Sequence, residues 1–522
     1  MAAADRLSAL PDDVLQHILS FAPAKRGAST AVLSRRWRPV WRGAGAVILD
    51  SNLYTTAARI NPYSEPFLHD AMKALEAFRR SGTELRRLTL LLDESAYWFM
   101  DEKDKQQKEA GRDRIGTVVL AHPSAVELEE LIVRCRAGNV QYRHRPWLAS
   151  LPCGATLRVL ELTYCHIHPP PLAKAPDLPR LTDLRLHSCL ISEGYLQIVV
   201  DAAPALTNLT MVYVTYMPAE KPDLMGRYLG LRDGFSVRLR LRCPTVTALE
   251  LVTRGCAEEL QPWANPGIAL DMPSLRSFRY NGFPVKLSLT SPTPALTRVH
   301  LDVSRRDHHV QHYEPTSRML TSFSSTRALK LRLNCIEEAI LLPMFPSLEL
   351  LEVEGRYKYM NRNTARSMAR LLGSCPAMAE LRLRLSMDYA WHYERKTEDP
   401  PGGPFAQSME RFNRLSSLPS AHRDIVVLGE VSDLRDAMTS CTFGCLQKSL
   451  RKVTLKFKAK EVNCFEVQLA KFIVENAMVL EEMHVDDGEQ FCPDHLYSKV
   501  ARWRADSFRR RNLPDTGGFR VY

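Results

Sequence analysis

The sequence predicts an α/β chain: a three-helix N-terminal module, then a curved solenoid of leucine-based repeats with a parallel sheet on its concave side. Three observations predict it. The opening forty residues carry apolar side chains at helical spacing. After residue 80 one short pattern, apolar-x-x-apolar-x-apolar, keeps returning. The 522 residues are 45% hydrophobic and 25% charged, the balance of a folded chain with a large core.

The N-terminal module is read from residues 5–42. Pro11 suits a first helical turn, where its missing N–H costs nothing, and Asp12 and Asp13 complement the positive helix end. Leu10, Val14, Ile18 and Phe21 follow 4-4-3 spacing, with Leu15 and Leu19 beside them, which makes a wide apolar stripe. Pro23 is expected to end this helix. A second amphipathic stretch holds Ala28, Ala31, Val32 and Leu33, and a third places Trp37 and Trp41 one turn apart. Forty residues cannot readily bury this much apolar surface, so the surplus points to docking on another protein.

These residues read Leu10-Pro-Asp-Asp13, then Ile18-Leu-Ser-Phe21, then Val32-Leu-Ser-Arg-Arg-Trp37-Arg-x-x-Trp41. Several separated elements in this order resemble the plant F-box. The resemblance implies a module that binds the Skp-type adaptor of a cullin–RING ubiquitin ligase. It also implies that Leu10, Pro11, Leu15, Ile18, Leu19, Val32, Leu33, Trp37 and Trp41 form the docking surface or its support. The loop Lys25-Arg-Gly-Ala-Ser-Thr30 departs from the family pattern, and Gly27 is expected to loosen the start of the second helix.

The repeat pattern begins at Leu85, Leu128, Leu157, Leu181, Leu206, Val246, Leu275, Leu296, Leu348, Met378, Leu450 and Leu480, with a shorter instance from Leu329 to Leu333. Many spacings fall near the 20–29 residues of leucine-rich repeats. Cys165 and Cys189 recur at matching places, and Pro179, Pro204, Pro273, Pro346 and Pro376 precede their strands. Each x-apolar-x-apolar-x segment reads as a strand whose inward leucines need the neighbouring repeat to supply a core. Pro400-Pro-Gly-Gly-Pro404 fits neither helix nor central strand, so residues 386–420 read as a loop or linker. The last hundred residues, with Leu450-Arg-Lys-Val-Thr-Leu455 and Phe472 to Met483, resemble the FBD region that often follows plant F-box and repeat segments. Their expected content is strand, helix over Phe465 to Asn476, strand. The expected divisions are 1–45, 46–385, 386–420 and 421–522.

Residues between the leucines form the concave face, and their charge sign changes from repeat to repeat. That suits a folded protein or peptide better than a uniform polyphosphate. Arg279, Arg298 and His300 make the best small basic patch, a candidate grip for an acidic part of a protein substrate. The net charge of +11 is spread among acids along nearly the whole chain, which argues against nucleic acid. Arg509, Arg510 and Arg511 read as a solvated helix end, with a nuclear-import element as the alternative.

The twelve cysteines are scattered, and only Cys441 and Cys445 lie close, which reads as a reduced, intracellular chain in nucleus or cytoplasm. No apolar run of about eighteen residues exists to span a membrane. GxGxxG, Walker, HExxH and GxSxG motifs are absent, so no catalytic, cofactor or metal residues are assigned. His308, His309 and His312, and the pair His166 and His168, lack a clear further metal ligand. The expected role is a non-catalytic substrate-recognition subunit of a Skp–cullin–F-box ligase. The alternative is a small-molecule co-receptor on the same scaffold.

Overall fold

The computed structural model describes residues 9–54, 64–94, 115–137, 148, 151–167, 175–192, 194–217, 238–253, 267–282, 285–303, 314–333, 335–336, 339, 342–357, 362–387, 443–457, 465–486, 493–513 and 518–522. Residues 386–387 are the end of a strand; the rest of the expected linker lies outside the described residues, as do Cys441, His168, His308, His309 and His312. The chain forms two compact units, Met1–Glu259 with Leu270–Leu275, and Leu260–Ala269 with Arg276–Tyr522.

The first unit opens with helices α1 (Asp12–Leu19), α2 (Ala24–Ser29) and α3 (Trp37–Gly43), with a 3-10 turn over Thr30–Val32 between the last two. Strand β1 (Ala46–Asp50) and helix α4 (Glu65–Ser81) follow. Gly82, at φ 65°, ends α4 in the left-handed conformation that glycine adopts without a Cβ penalty. Then come β2 (Arg87–Glu94), β3 (Glu130–Ala137), β4 (Val159–Thr163), β5 (His166–Ile167), β6 (Asp183–His187), β7 (Leu190–Ser192), α5 (Tyr195–Asp201), β8 (Asn208–Val212) and β9 (Thr215–Met217). Strands β10 (Arg238–Arg242) and β11 (Ala248–Val252) lie further on, and β12 (Gly267–Asp271) crosses between the sequence segments of the two units.

In this unit the main sheet runs β1-β2-β3-β4-β6-β8-β11, and each of its described pairings is parallel. The register explains the sequence pattern. Leu88, Leu131, Leu160, Leu184, Leu209 and Leu249 stand in one row, and Leu90, Val133, Leu162, Leu186, Met211 and Leu251 in the next. All twelve are buried, as is the leading residue of each repeat, Leu85, Leu128, Leu157, Leu181, Leu206 and Val246. A fully buried leucine side chain contributes roughly 1.5–3 kcal/mol, so each added repeat is stabilised chiefly by its neighbours. Threonine hydroxyls cross the same seam: Thr182 donates to the Arg158 carbonyl at 3.0 Å, Thr207 to Thr182 at 3.2 Å and Thr247 to Thr207 at 3.3 Å.

Two features were not anticipated. Strand β1 precedes the first legible repeat. A second, small parallel sheet, β5-β7-β9, forms just after the main strands. The chain turns into it through Tyr164, Ser188 and Tyr213, which sit at φ of 54°, 51° and 54°. Their amides donate to the carbonyls of His187, Val212 and Val252 on the following main strands, which holds this costly backbone in place. The recurring Cys165 and Cys189 lie directly after two of these turns, buried; the Cys189 thiol donates to the Leu162 carbonyl at 3.2 Å.

The second unit holds β13 (Ser277–Gly282), β14 (Lys286–Leu289), β15 (Arg298–Val303), α6 (Glu314–Thr321), β16 (Ala328–Leu333), β17 (Leu350–Tyr357), α7 (Arg362–Ser374), β18 (Glu380–Met387), α8 (Gly444–Lys448), β19 (Lys452–Lys456), α9 (Phe465–Asn476), β20 (Glu482–Asp486), α10 (Pro493–Arg510) and β21 (Arg520–Val521). Its main sheet is parallel in the order β13-β15-β16-β17-β18-β19-β20-β21. Phe278, Val299, Leu329, Leu351, Leu381, Val453 and Met483 form one inward row. Helix α9 has the expected bounds and lies between the two expected strands. It is tied back to β17 by a buried hydrogen bond from the Tyr357 hydroxyl to Glu466 Oε1 at 2.7 Å.

Arg504 of α10 is 7% exposed, and its guanidinium closes the end of α9. It donates to the carbonyls of Val474 (3.3 Å), Met478 (3.3 Å) and Leu480 (3.4 Å) and also to that of Ala477. It stacks over the Phe508 ring at 4.1 Å. The planar fork meets several carbonyls that a single ammonium could not reach together. Arg504→Met is therefore expected to lower the urea midpoint of the second unit, a loss of about 2 kcal/mol or more from unpaired buried carbonyls. Arg504→Lys should recover only part of it.

Candidate functional site

The N-terminal helices divide the nine candidate docking residues into a small core and an exposed apolar surface. Leu15, Trp37 and Val40 form a buried cluster, with Leu10 and Leu19 half-buried against it. Arg36 fastens the start of α3 to the start of α1, donating to Asp12 Oδ1 at 2.8 Å and also to the Leu10 carbonyl. Trp41 is half-buried and meets the Phe78 ring of α4 edge-on, with centroids 5.6 Å apart. It therefore joins the helices to the first repeat. Pro11, Ile18, Val32 and Leu33 are exposed.

That exposure is large for such side chains: 88% for Val32, 67% for Leu33 and 46% for Ile18. Phe21 at 63% and Val14 at 38%, two further members of the apolar stripe, add to it. Val14 and Ile18, one turn apart, share a face of α1. Val32 and Leu33 follow in the 3-10 turn and just after it. Clusters of exposed large apolar residues mark interaction sites, whereas isolated ones do not.

Three local expectations are corrected. Pro11 precedes α1 as its N-cap residue, with the helix beginning at Asp12, and α1 ends at Leu19, well before Pro23. Pro23 instead precedes α2, and its backbone bridges Ile48 of β1. Gly27 does not loosen the start of α2; it is buried in the middle of that helix. A Cβ there would stand 3.7 Å from the Cβ of Trp41, an ordinary contact, so the helix packs closely there without strictly requiring glycine.

The outward face of the second unit carries the basic patch. Arg279 and His300 are register partners on β13 and β15, and Lys330 is next in the same row. Arg298 lies one row away, opposite Ser277. Arg279 and Arg298 are exposed and His300 is half-buried. Burial, then the neighbouring charges of Arg279 and Lys330, lowers the His300 pKa below its ordinary value, which favours the neutral ring near pH 7. Much of the sign alternation elsewhere is consumed between strands. Lys330 pairs with Glu352 at 2.5 Å, Lys452 with Glu482 at 2.9 Å and Lys456 with Asp486 at 3.1 Å, while Arg332 spans Asp302 and Glu354 at 3.4 and 3.5 Å. In the first unit Glu161 receives Arg134 at 2.8 Å. At the C-terminal helix end Arg510 pairs with Glu475 at 3.2 Å and Arg511 donates to Asn476 Oδ1 at 3.0 Å.

Among the described residues no group of three or more His, Cys, Asp or Glu is placed to hold a metal, and no helix is long and apolar enough to cross a membrane.

Residues 118–261 match the family model described as the LRR repeats of FBD-associated F-box protein At5g56370. A meiotic F-box protein of rice, Oryza sativa subsp. japonica, is 26% identical over 266 residues, 49% of this chain and 47% of the relative. Two Arabidopsis thaliana proteins named F-box/FBD/LRR-repeat proteins are 23% and 26% identical over 219 residues each, covering 43% and 45% of their own lengths. The chain thus spans about half the length of these curated relatives. Its similarity is to plant F-box proteins with leucine-rich repeats and an FBD region, and its large parallel sheet fits that likeness.

The division of the N-terminal residues makes a stability prediction. Leu15→Ala should cost about 2–5 kcal/mol, as for other buried leucines, and melt α1 to α3. Ile18→Asp and Leu33→Asp should leave thermal unfolding within about 0.5 kcal/mol of the parent, because they replace exposed side chains. Circular dichroism melts of the three variants check it.

Proposed function

We propose that the chain is the substrate-recognition subunit of a Skp–cullin–F-box ubiquitin ligase, docking through its N-terminal helices and recruiting a protein target through its repeats. One observation carries the reading: Val32, Leu33, Phe21 and Ile18 stand open to water on a module whose own core is already closed by Leu15, Trp37 and Val40. A foreign apolar surface would remove that area from water at roughly 25 cal/mol per Å². In this reading residues 1–45 are an F-box, 46–385 the repeat array, 386–420 a linker and 421–522 an FBD-like end, parts of the kinds that the relatives' names carry.

In this reading Pro11, Ile18, Val32 and Leu33 touch the Skp-type adaptor. Leu15, Trp37, Leu10 and Leu19 hold them in place, and Trp41 fixes the module to the repeats. No residue of the chain performs covalent chemistry. The ligase core is held at one end and the target at the other, so target lysines meet the charged ubiquitin carrier at high effective concentration. Arg279, Arg298 and His300, carried on the outward face of the neighbouring strands β13 and β15, grip an acidic part of the target.

Affinity purification with the proteasome inhibited tests both halves. The intact chain should bring down Skp-type, cullin and target proteins. An Ile18→Asp, Leu33→Asp variant should lose ligase subunits at least tenfold and keep targets. An Arg279→Glu, Arg298→Glu variant should do the reverse. Ligase subunits retained by the first variant would remove the adaptor reading, and targets retained by the second would remove the patch.

A further inference from the structure

The exposed apolar face of the first unit lies in a stretch of one charge sign. From Val14 to Leu49 the chain has no aspartate or glutamate, while Lys25, Arg26, Arg35, Arg36, Arg38 and Arg42 fall there. Ser29 is the last residue of α2; it is exposed, and its hydroxyl donates to the Arg26 carbonyl at 2.7 Å. Arg26 stands three residues before it, the spacing that brings side chains together on one helical face. The Arg26 side chain is itself exposed and enters no ion pair among the described residues.

The backbone stays right-handed from α2 into the turn that follows. Ser29 and Thr30 have φ of −66° and −64°, and Thr30–Val32 is 3-10. Residues three apart eclipse in such a turn, so Ser29 and Val32 project to one side, with Leu33 next in the chain. A group added to the Ser29 oxygen would stand at the edge of the face that Val32 and Leu33 present to water.

We propose that Ser29 is a phosphorylation site for a serine kinase that selects basic substrates, and that its phosphate closes the docking face. An exposed arginine one turn before the hydroxyl, in acid-free surroundings, suits a kinase cleft lined with carboxylates. A six-residue helix is too short to hold by itself, so local opening admits the segment to such a cleft. In the transfer the Ser29 oxygen bonds to the γ-phosphorus of ATP, the bond to the ADP oxygen breaks, and the hydroxyl proton passes to the kinase's base. The product carries close to two negative charges at pH 7. Docking must then strip water from a dianion beside an apolar partner surface, at the negative end of α2. The switch rests on the adaptor reading; the modification itself does not.

Incubating the full chain with ATP and a purified calcium/calmodulin-dependent kinase, which selects an arginine three residues before the acceptor, tests both parts. Tandem mass spectrometry should place a phosphate on Ser29, and Arg26→Met should slow its addition about tenfold. In biolayer interferometry the phosphorylated chain should bind a purified plant Skp-type adaptor about tenfold more weakly than the untreated chain, and phosphatase should restore the affinity. The Ser29→Ala chain should bind equally before and after kinase treatment. Phosphorylated and untreated chains should melt together, since Ser29 is exposed. No phosphate on Ser29, adaptor affinity unchanged by that phosphate, or affinity lost only together with the fold would each overturn the proposal and leave the adaptor reading standing. An untreated chain that ignores the adaptor would remove that reading and the switch with it.

Discussion

Each strand of this chain buries its inward side chains only because a parallel neighbour stands in register beside it. A slip by one residue would turn Leu160 and Leu162 outward and Glu161 inward, exchanging two buried leucines for a charge without a partner. The threonine hydroxyls before β6, β8 and β11, donating to the carbonyl of the preceding repeat, reinforce that register. The same alignment places every outward residue in a row. The face available to a partner is therefore set by what the core requires.

Rows bring charges together as well as apart. The change of sign between repeats looks in sequence like a mosaic offered to a partner. In register, Lys330 and Glu352, Lys452 and Glu482, and Lys456 and Asp486 satisfy one another. Exposed pairs of this kind stabilise by only a few tenths to about 1 kcal/mol each, but they remove charge from the surface that a partner meets. The row that begins with Arg279 runs on through His300 to the paired Lys330 and Glu352, so Arg279 stands two strands away from that pair. At the other end of the chain the helices show the apolar counterpart: among the described residues Val32 and Leu33 stay exposed, while Leu15 and Trp37 are buried.

Much of this was legible. The repeat pattern located the described main strands from Leu85 to Val485, because inward leucines at period two leave a signature that needs no long-range information. The bounds of α9 were legible from local sequence too, though there the apolar residues recur at helical spacing. Strand β1 was missed because Ala44 stands where the later repeats have their leading leucine, three residues before the first inward residue, here Val47. The turns at Tyr164, Ser188 and Tyr213 were invisible, since none is the glycine or asparagine that announces a left-handed residue. Recurring Cys165 and Cys189 hinted at them. At the N-terminus, spacing could list Val14 and Phe21 with Ile18, but only packing separates exposed Leu33 from buried Leu15. Trp41 finds Phe78 through the tertiary fold, which no local pattern encodes.

The account rests on the exposed apolar residues of α1 and the turn after α2 being a docking surface. Hydrogen–deuterium exchange of the full chain, with and without a purified plant Skp-type adaptor, tests that most directly. It predicts slowed exchange in peptides covering residues 11–33, with β2 to β8 unchanged. An unaltered exchange pattern across residues 11–33 at saturating adaptor would contradict it.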